Sequence, residues 1–119
     1  MKTTLVLGAS LKSERYSNIA MHRLVKFGHP VKAFGLQKGE VAGVSIDTVL
    51  KNYEDIDTIT LYLNPKRQTA YYNYIMELKP NRVIFNPGTE NPDFFRLLSE
   101  NNIDYEVACT LVLLSTGQY

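Results

Sequence analysis

The residues best suited to chemistry lie near the amino terminus, where a small-residue turn separates an apolar run from the start of a helix. The turn contains Gly8, Ala9 and Ser10, and Arg15 and Ser17 follow shortly after it. A strand that passes through such a turn into a helix creates an anion site, because unpaired N–H groups and the positive end of the helix dipole face it. Phosphate is the anion we expect. The same residues also fit a tight strand–helix turn with a solvated arginine, and both interpretations stay open for this stretch.

Two later turns add to this signal, because each of them also follows an apolar segment. They are Leu63-Asn64-Pro65 and Asn86-Pro87-Gly88. An Asn-Pro pair is typical of a helix start, and a Pro-Gly pair is typical of a type II turn. If the preceding segments are parallel neighbours in one sheet, the three turns lie at the edge where open α/β sheets bind ligands. This convergence predicts a crevice more strongly than any single turn does.

Catalytic and metal-binding patterns are missing from the sequence. The two histidines, His22 and His29, have no metal-ligand spacing, and no Ser-His-Asp or Cys-His set can be assembled. The single cysteine excludes an internal disulfide and a cysteine-based zinc cluster. We therefore expect no metal and no catalytic residues in this chain.

Length and composition limit the possible partners. A chain of 119 residues, 45% hydrophobic and 21% charged, is expected to form one globular domain, which we place at residues 1–119. A net charge of +1 provides no global field that would draw the protein to nucleic acid or to a membrane. The sequence shows neither a signal-peptide pattern nor an apolar run of the roughly 18 residues that span a bilayer. We expect a cytoplasmic protein whose anion binding is local.

Strands and helices are predicted to alternate along the chain. Apolar or β-branched runs predict strands over residues 4–7, 31–35, 57–63, 82–86 and 104–108, with a short edge-like segment at 44–46. Helices are predicted over 17–28 (Ser17 as cap, Gly28 at C′), after Asn64, from Asn91 to about residue 102, and over 109–114. Residues 37–43 are predicted to be a polar loop, and residues 47–50 one helical turn.

This alternation predicts an α/β fold built from right-handed strand–helix–strand units. The expected architecture is a Rossmann-like, three-layer, doubly wound and mostly parallel sheet in a single domain, with strand order 3-2-1-4-5 and both faces covered.

The sequence lacks most of the residues of the dinucleotide-binding fingerprint, and this indicates the type of nucleotide. Of the glycines in the dinucleotide pattern G-x-G-x-x-G only Gly8 is present, and Lys38 follows the second strand where NAD proteins keep an acidic residue. A lysine there attracts a phosphorylated ribose, which indicates NADP or coenzyme A (CoA) rather than NAD. The sequence contains no P-loop lysine motif, so a nucleoside triphosphatase is not expected.

Four segments, in their order and spacing, make the chain similar to a known family. They are VLGAS…ERYS, KGEVAGV, TLYLNP and VIFNPGTENP. With them the sequence resembles the small stand-alone CoA-binding proteins of bacteria, which are similar to the CoA-binding domain of the succinyl-CoA synthetase α subunit. The resemblance covers essentially the whole chain. The synthetases carry their catalytic histidine on a separate domain that this sequence does not contain, so the resemblance implies binding without catalysis by this chain alone.

The resemblance also implies where each part of the ligand lies. It implies phosphate contacts from the first loop (Gly8, Ala9, Ser10, Arg15 and Ser17) and adenosine contacts from Leu36 and Lys38. It further implies that Leu63, Asn64 and Pro65 lie along the crevice, with Asn86, Pro87 and Gly88 opposite. Cys109 has two interpretations: a buried small hydrophobic residue, or a thiol close to the ligand's own thiol.

Three functions stay open for this sequence. The leading hypothesis is binding of CoA or a short acyl-CoA without turnover. The second is an NADP-dependent oxidoreductase, or a nucleotide-binding subunit completed by a partner chain. The third is a regulatory or scaffold protein whose pocket no longer binds. The expected partner is a small-molecule nucleotide ligand, while a homo-oligomer or a partner subunit is left open.

Overall fold

A seven-stranded sheet with helices on both faces runs through the molecule, and the computed structural model describes residues 1–119. The strands are β1 (Thr4–Ala9), β2 (Val31–Gly35), β3 (Gly39–Val41), β4 (Val44–Asp47), β5 (Thr58–Leu61), β6 (Arg82–Phe85) and β7 (Asp104–Val107). The helices are α1 (Tyr16–Lys26), α2 (Pro65–Gln68), α3 (Tyr72–Leu78), α4 (Pro92–Glu100) and α5 (Thr110–Ser115), with a 3-10 turn at Thr69–Tyr71. None of these helices has the length and apolar character needed to cross a membrane.

The strand order places β1 near the centre of the sheet. The order is β3-β4-β2-β1-β5-β6-β7, and every pairing is parallel except that of β3 with β4. Without β3 this is the predicted doubly wound order, so the predicted Rossmann-like α/β fold is confirmed. The chain passes from β1 to β2 on one side and later to β5 on the other. This reversal leaves a crevice at the carboxyl end of β1.

Successive side chains of β1 point to opposite faces of the sheet and belong to two separate cores. Leu5 and Leu7 belong to the core that includes Phe94 of α4. Val6 belongs to the core that includes Met21 of α1. All five side chains are fully buried, which explains why β1 has the continuous apolar sequence of a strand covered on both faces.

The predicted Asn-Pro helix starts are confirmed. The Asn64 side-chain oxygen accepts a hydrogen bond from the backbone N–H of Arg67 at 3.0 Å, and α2 starts at Pro65. The Asn91 side chain accepts in the same way from the backbone N–H of Phe94 at 3.3 Å, at the start of α4. Because each cap bonds to a group only three residues away, local sequence was enough to predict it.

The predicted Pro87-Gly88 turn and the helix stop at Gly28 are also confirmed. Gly88 has a φ of +91°, as the third residue of a type II turn requires, and the Thr89 N–H donates to the Asn86 carbonyl oxygen at 3.0 Å. Gly28 follows α1 with a φ of +84°.

Two predictions for the segment after β2 are wrong. Residues 37–43, predicted to be a loop, contain β3, an edge strand that pairs antiparallel with β4 and buries only Val41. A strand with one buried residue carries too little apolar pattern to be seen in the sequence. Residues 47–50 form no helical turn, because Asp47 ends β4 and its carboxylate accepts hydrogen bonds from Lys51 (2.9 Å) and from the Tyr53 hydroxyl.

The prediction that Ser17 caps α1 is also wrong. The helix begins at Tyr16, Arg15 occupies the N-cap position, and Ser17 is a buried residue within the first turn. The helix predicted after Asn64 is present but interrupted, since the 3-10 turn separates α2 from α3.

Candidate functional site

An open cavity of about 680 Å³ lies in the crevice at the carboxyl ends of β1, β2 and β5, a volume typical of sites for small molecules and cofactors. Most of the predicted site residues line it: Gly8, Ala9, Ser10, Arg15, Ser17, Leu36, Leu63, Asn64, Pro87 and Gly88. The three turns that were predicted to converge therefore do contribute to one cavity.

Two glycines allow the strand ends to pack closely beneath the cavity. Gly8 has a φ of +101°, and a Cβ there would lie 3.1 Å from the carbonyl carbon of Tyr62 at the end of β5. A Cβ at Gly35 would lie only 2.3 Å from the carbonyl oxygen of Ala9. The backbones of β1, β2 and β5 therefore approach each other in a way that only glycine permits, and a ligand can come close to the main chain.

The amino end of α1 opens onto this cavity without a side-chain cap. Arg15 forms no capping hydrogen bond, and Tyr16 and Ser17 of the first turn line the cavity. The buried side chain of Asn18 donates a hydrogen bond to the backbone oxygen of Ser10 at 2.9 Å, which ties the loop to the helix. The free N–H groups and the helix dipole therefore favour an anion at this position.

The charges that line the cavity have one sign. Lys12, Arg15 and Arg67 line it, and no aspartate or glutamate does. None of these three cations belongs to any ion pair of the structure. Positive charge without a counter-charge in a concave site attracts anionic ligands.

Apolar groups complete the lining on the side of β2. Phe34 and Tyr71 both line the cavity and contact each other edge to face, with their ring centroids 5.6 Å apart. Leu36, at the end of β2, is 74% exposed although it is apolar. This combination offers a hydrophobic surface beside a cationic one, as a nucleotide with an apolar and an anionic part requires.

Tyr62 is the titratable side chain in the lining whose pKa is clearly shifted. Burial raises the pKa of Tyr62 to about 12. A phenol with this pKa stays protonated at neutral pH and is poorly suited to act as a general base.

Four predicted site residues lie outside the cavity lining. Lys38 is exposed in the turn before β3, and Pro65 is the first residue of α2. Asn86 is 2% exposed, and its side chain forms hydrogen bonds within the protein. Cys109 is half-buried two residues after the edge strand β7, and the next residue, Thr110, shares a hydrogen bond with the Thr60 hydroxyl of β5 at 2.8 Å. Ligand contacts of these four residues stay predictions.

Sequence reasoning missed several residues around the cavity, among them two cations and a buried amide. Lys12 and Arg67 belong to its lining, and Gln68 is completely buried behind it. A signal for Arg67 was present in the sequence. The helix dipole disfavours a basic residue in the first turn of a helix, so an arginine there can indicate contact with an anion. No local signal distinguished Gln68 from an exposed helical glutamine.

Comparison with protein families gives one match. A family model described as a CoA binding domain matches residues 2–115, which is nearly the whole chain. No curated protein matches the sequence.

Solved structures include several with the same fold. A crystal structure of an uncharacterized protein is 50% identical over 100% of this chain and 98% of its own, with a TM-score of 0.97. A hypothetical protein from Pyrococcus horikoshii OT3 is 26% identical over 97% of this chain and 82% of its own, with a TM-score of 0.85. A protein from Thermus thermophilus, 24% identical with a TM-score of 0.86 over 99% of this chain and 90% of its own, shows the fold alone.

Proposed function

This chain belongs to the CoA binding domain family, and we propose on that premise that it binds CoA or a short acyl-CoA in the crevice without turning it over. The observation that carries the proposal is a cavity free of acidic residues, in which the uncapped end of α1 meets three unpaired cations. CoA is strongly anionic, because it contains a pyrophosphate and a ribose 3′-phosphate.

The pyrophosphate lies at the amino end of α1 in the proposed arrangement. The N–H groups of Tyr16 and Ser17 bind it, and Lys12 and Arg15 neutralise its charge. Support comes from Gly8, whose missing side chain lets the pyrophosphate reach the backbone.

The two ends of the ligand leave the pyrophosphate in opposite directions. The adenosine rests on the apolar surface of Phe34 and Leu36. Lys38, two residues after Leu36, contacts the ribose 3′-phosphate in this arrangement. The pantetheine arm runs between Leu63 on one side and Gly88 on the other. Support comes from Phe34, Leu36, Leu63 and Gly88, which all line the cavity.

Binding without catalysis is proposed because the lining lacks a group suited to act as a general base. Its residues include no histidine, aspartate or glutamate, and the pKa of Tyr62 is raised to about 12 by burial. The cationic lining would also accept the phosphorylated ribose of NADP, so NADP is a necessary competitor in the test.

Isothermal titration calorimetry with CoA, acetyl-CoA, NADP and NAD tests the proposal. We expect the two CoA species to bind more tightly than NADP, and NAD to bind most weakly. Arg15→Ala should weaken CoA binding about tenfold or more, because a charge-assisted hydrogen bond contributes roughly 1.5–3 kcal/mol.

The matched control is Arg23→Ala, which removes an exposed arginine from the same helix away from the cavity. It should leave CoA affinity within about twofold of the wild type. Tighter binding of NAD than of CoA, or an equal effect of both substitutions, would contradict the proposal.

A further inference from the structure

A buried glutamine joins two loops of the crevice that are far apart in the sequence. Gln68, at the end of α2, has no exposed surface. Its side-chain N–H₂ group donates to the carbonyl oxygen of Leu63 at 2.8 Å and to that of Thr89 at 2.7 Å. Leu63 follows β5, Thr89 follows β6, and both residues line the cavity.

The chemistry of this position is specific to a primary amide. Two carbonyl oxygens need two donors, and the amide nitrogen of Gln68 supplies both from one atom. Its oxygen accepts a hydrogen bond from the Asn91 side chain at 3.0 Å, so the whole group is used. Asn91 also donates to the Tyr72 hydroxyl at 2.7 Å, which extends the cluster from α4 to α3.

The loop containing Thr89 is fixed at its other end as well. The Thr89 hydroxyl donates to the carbonyl oxygen of Asn86 at 2.7 Å. The Asn86 side chain donates to the Thr60 hydroxyl at 2.7 Å and to the Leu61 carbonyl oxygen at 2.9 Å. Both ends of loop 87–89 are therefore attached to β5 or to the residues that follow it, and Gln68 makes the attachment nearest to the cavity.

We propose that Gln68 is a positioning residue that sets the separation of loops 63–64 and 87–89 and thereby the affinity for the part of the ligand between them. This inference rests on the proposed function, in which the pantetheine arm occupies that space. The Gln68 side chain itself touches no ligand atom. Its effect should therefore depend on whether the ligand has a pantetheine arm.

The test compares two ligands on three proteins. CoA and adenosine 3′,5′-bisphosphate, which lacks the arm, are titrated into wild type, Gln68→Met and Ile75→Val. Methionine keeps the length of the side chain but has no donor, so both carbonyl oxygens lose their partner. Ile75→Val is the stability control, since Ile75 is fully buried in α3 and lies outside the cavity lining.

Gln68→Met should weaken CoA binding about tenfold and change bisphosphate binding by less than about twofold. Ile75→Val should change neither. An equal loss for both ligands would show that Gln68 supports the site as a whole, and an unchanged CoA affinity would show that the loops keep their separation without it. Either result would overturn the inference.

Gln68→Glu makes the link between the two loops depend on pH, and a positioning role predicts that this dependence appears for CoA and not for adenosine 3′,5′-bisphosphate. A carboxylate cannot donate and would repel the two carbonyl oxygens, whereas a protonated carboxyl group can donate to one of them. The affinity of the variant relative to wild type should therefore rise as the pH is lowered from 8 to 5.5. The direct partners of Gln68 do not titrate, and Tyr72, reached through Asn91, is the nearest ionisable group in the cluster.

Hydrogen exchange of the ligand-free proteins separates this inference from the proposed function. Amide exchange at Gly88 and Thr89, whose N–H groups are hydrogen-bonded in the structure, should be faster in Gln68→Met than in wild type and in Ile75→Val. If wild type binds no CoA, the proposed function fails, and the exchange data still decide whether Gln68 holds the loops. Unchanged exchange would overturn the positioning role.

Discussion

The two walls of the crevice are built by different means. The first wall is the loop after β1 with the start of α1, and its shape depends on backbone packing at Gly8 and Gly35. Its cations, Lys12 and Arg15, are exposed and unpaired. The second wall consists of loops 63–64 and 87–89, which the buried side-chain amide of Gln68 joins through hydrogen bonds to Leu63 and Thr89.

The difference shows how a small domain can combine a binding surface with a rigid frame. The cations of the first wall have no ion-pair partner within the protein, so in the proposed function they contribute to affinity and little to stability. Polar groups of the second wall form hydrogen bonds with other groups of the protein. Each of these bonds supplies a partner for a buried polar group that would otherwise destabilise the fold. Substitutions in the two walls should therefore separate affinity from stability, except where the backbone itself is disturbed.

The largest effect is expected for Gly35→Ala, which breaks the first wall through its backbone. A Cβ at this position would lie 2.3 Å from the Ala9 carbonyl oxygen, so β1 and β2 would have to move apart. We expect a loss of about 4 kcal/mol in the free energy of unfolding, measured by urea denaturation.

Gly43→Ala is the control for that substitution. Gly43 has a φ of +80° but no atom near the added Cβ, so only backbone strain of about 1 kcal/mol is expected. Equal losses for the two variants would mean that close packing of the strand ends does not shape the first wall.

A smaller loss of stability is expected for Asn86→Ala in the second wall. The substitution removes hydrogen bonds to Thr60, Leu61 and the backbone N–H of Thr110, and leaves buried groups unpaired. We expect about 3 kcal/mol by urea denaturation. Asn64→Ala, which removes an exposed helix cap, should lose about 1 kcal/mol. A variant of Asn86 that keeps its stability but no longer binds CoA would instead identify Asn86 as a ligand contact.

The smallest effect is expected for Lys38→Ala, which tests whether the cationic surface extends beyond the first wall to the segment after β2. If Lys38 contacts the 3′-phosphate, wild type should prefer CoA over dephospho-CoA by about 1.5 kcal/mol, and the variant should lose most of that preference. Its unfolding midpoint should not change, because Lys38 is exposed and unpaired. Equal affinities of wild type for the two ligands, measured by calorimetry, would remove Lys38 from the site.

Much of the fold could be predicted because its signals are local. The buried strands, the caps at Asn64 and Asn91 and the turn at Pro87-Gly88 each depend on residues within a few positions of one another. The parallel order then follows from the alternation of strands and helices. The edge strand β3 was missed because it buries a single residue, Val41.

For the candidate site, the sequence by itself determined which turns face the crevice, because parallel strands end at one edge of the sheet. Only the tertiary structure decided what each side chain does there. Gln68 and Asn86 are polar residues near predicted turns, yet their partners lie 21 and 26 residues away, at Thr89 and Thr60. Whether a polar group binds a ligand or another part of the protein depends on such distant partners. Tertiary packing brings these partners together, and they cannot be predicted from the residues next to Gln68 or Asn86 in the sequence.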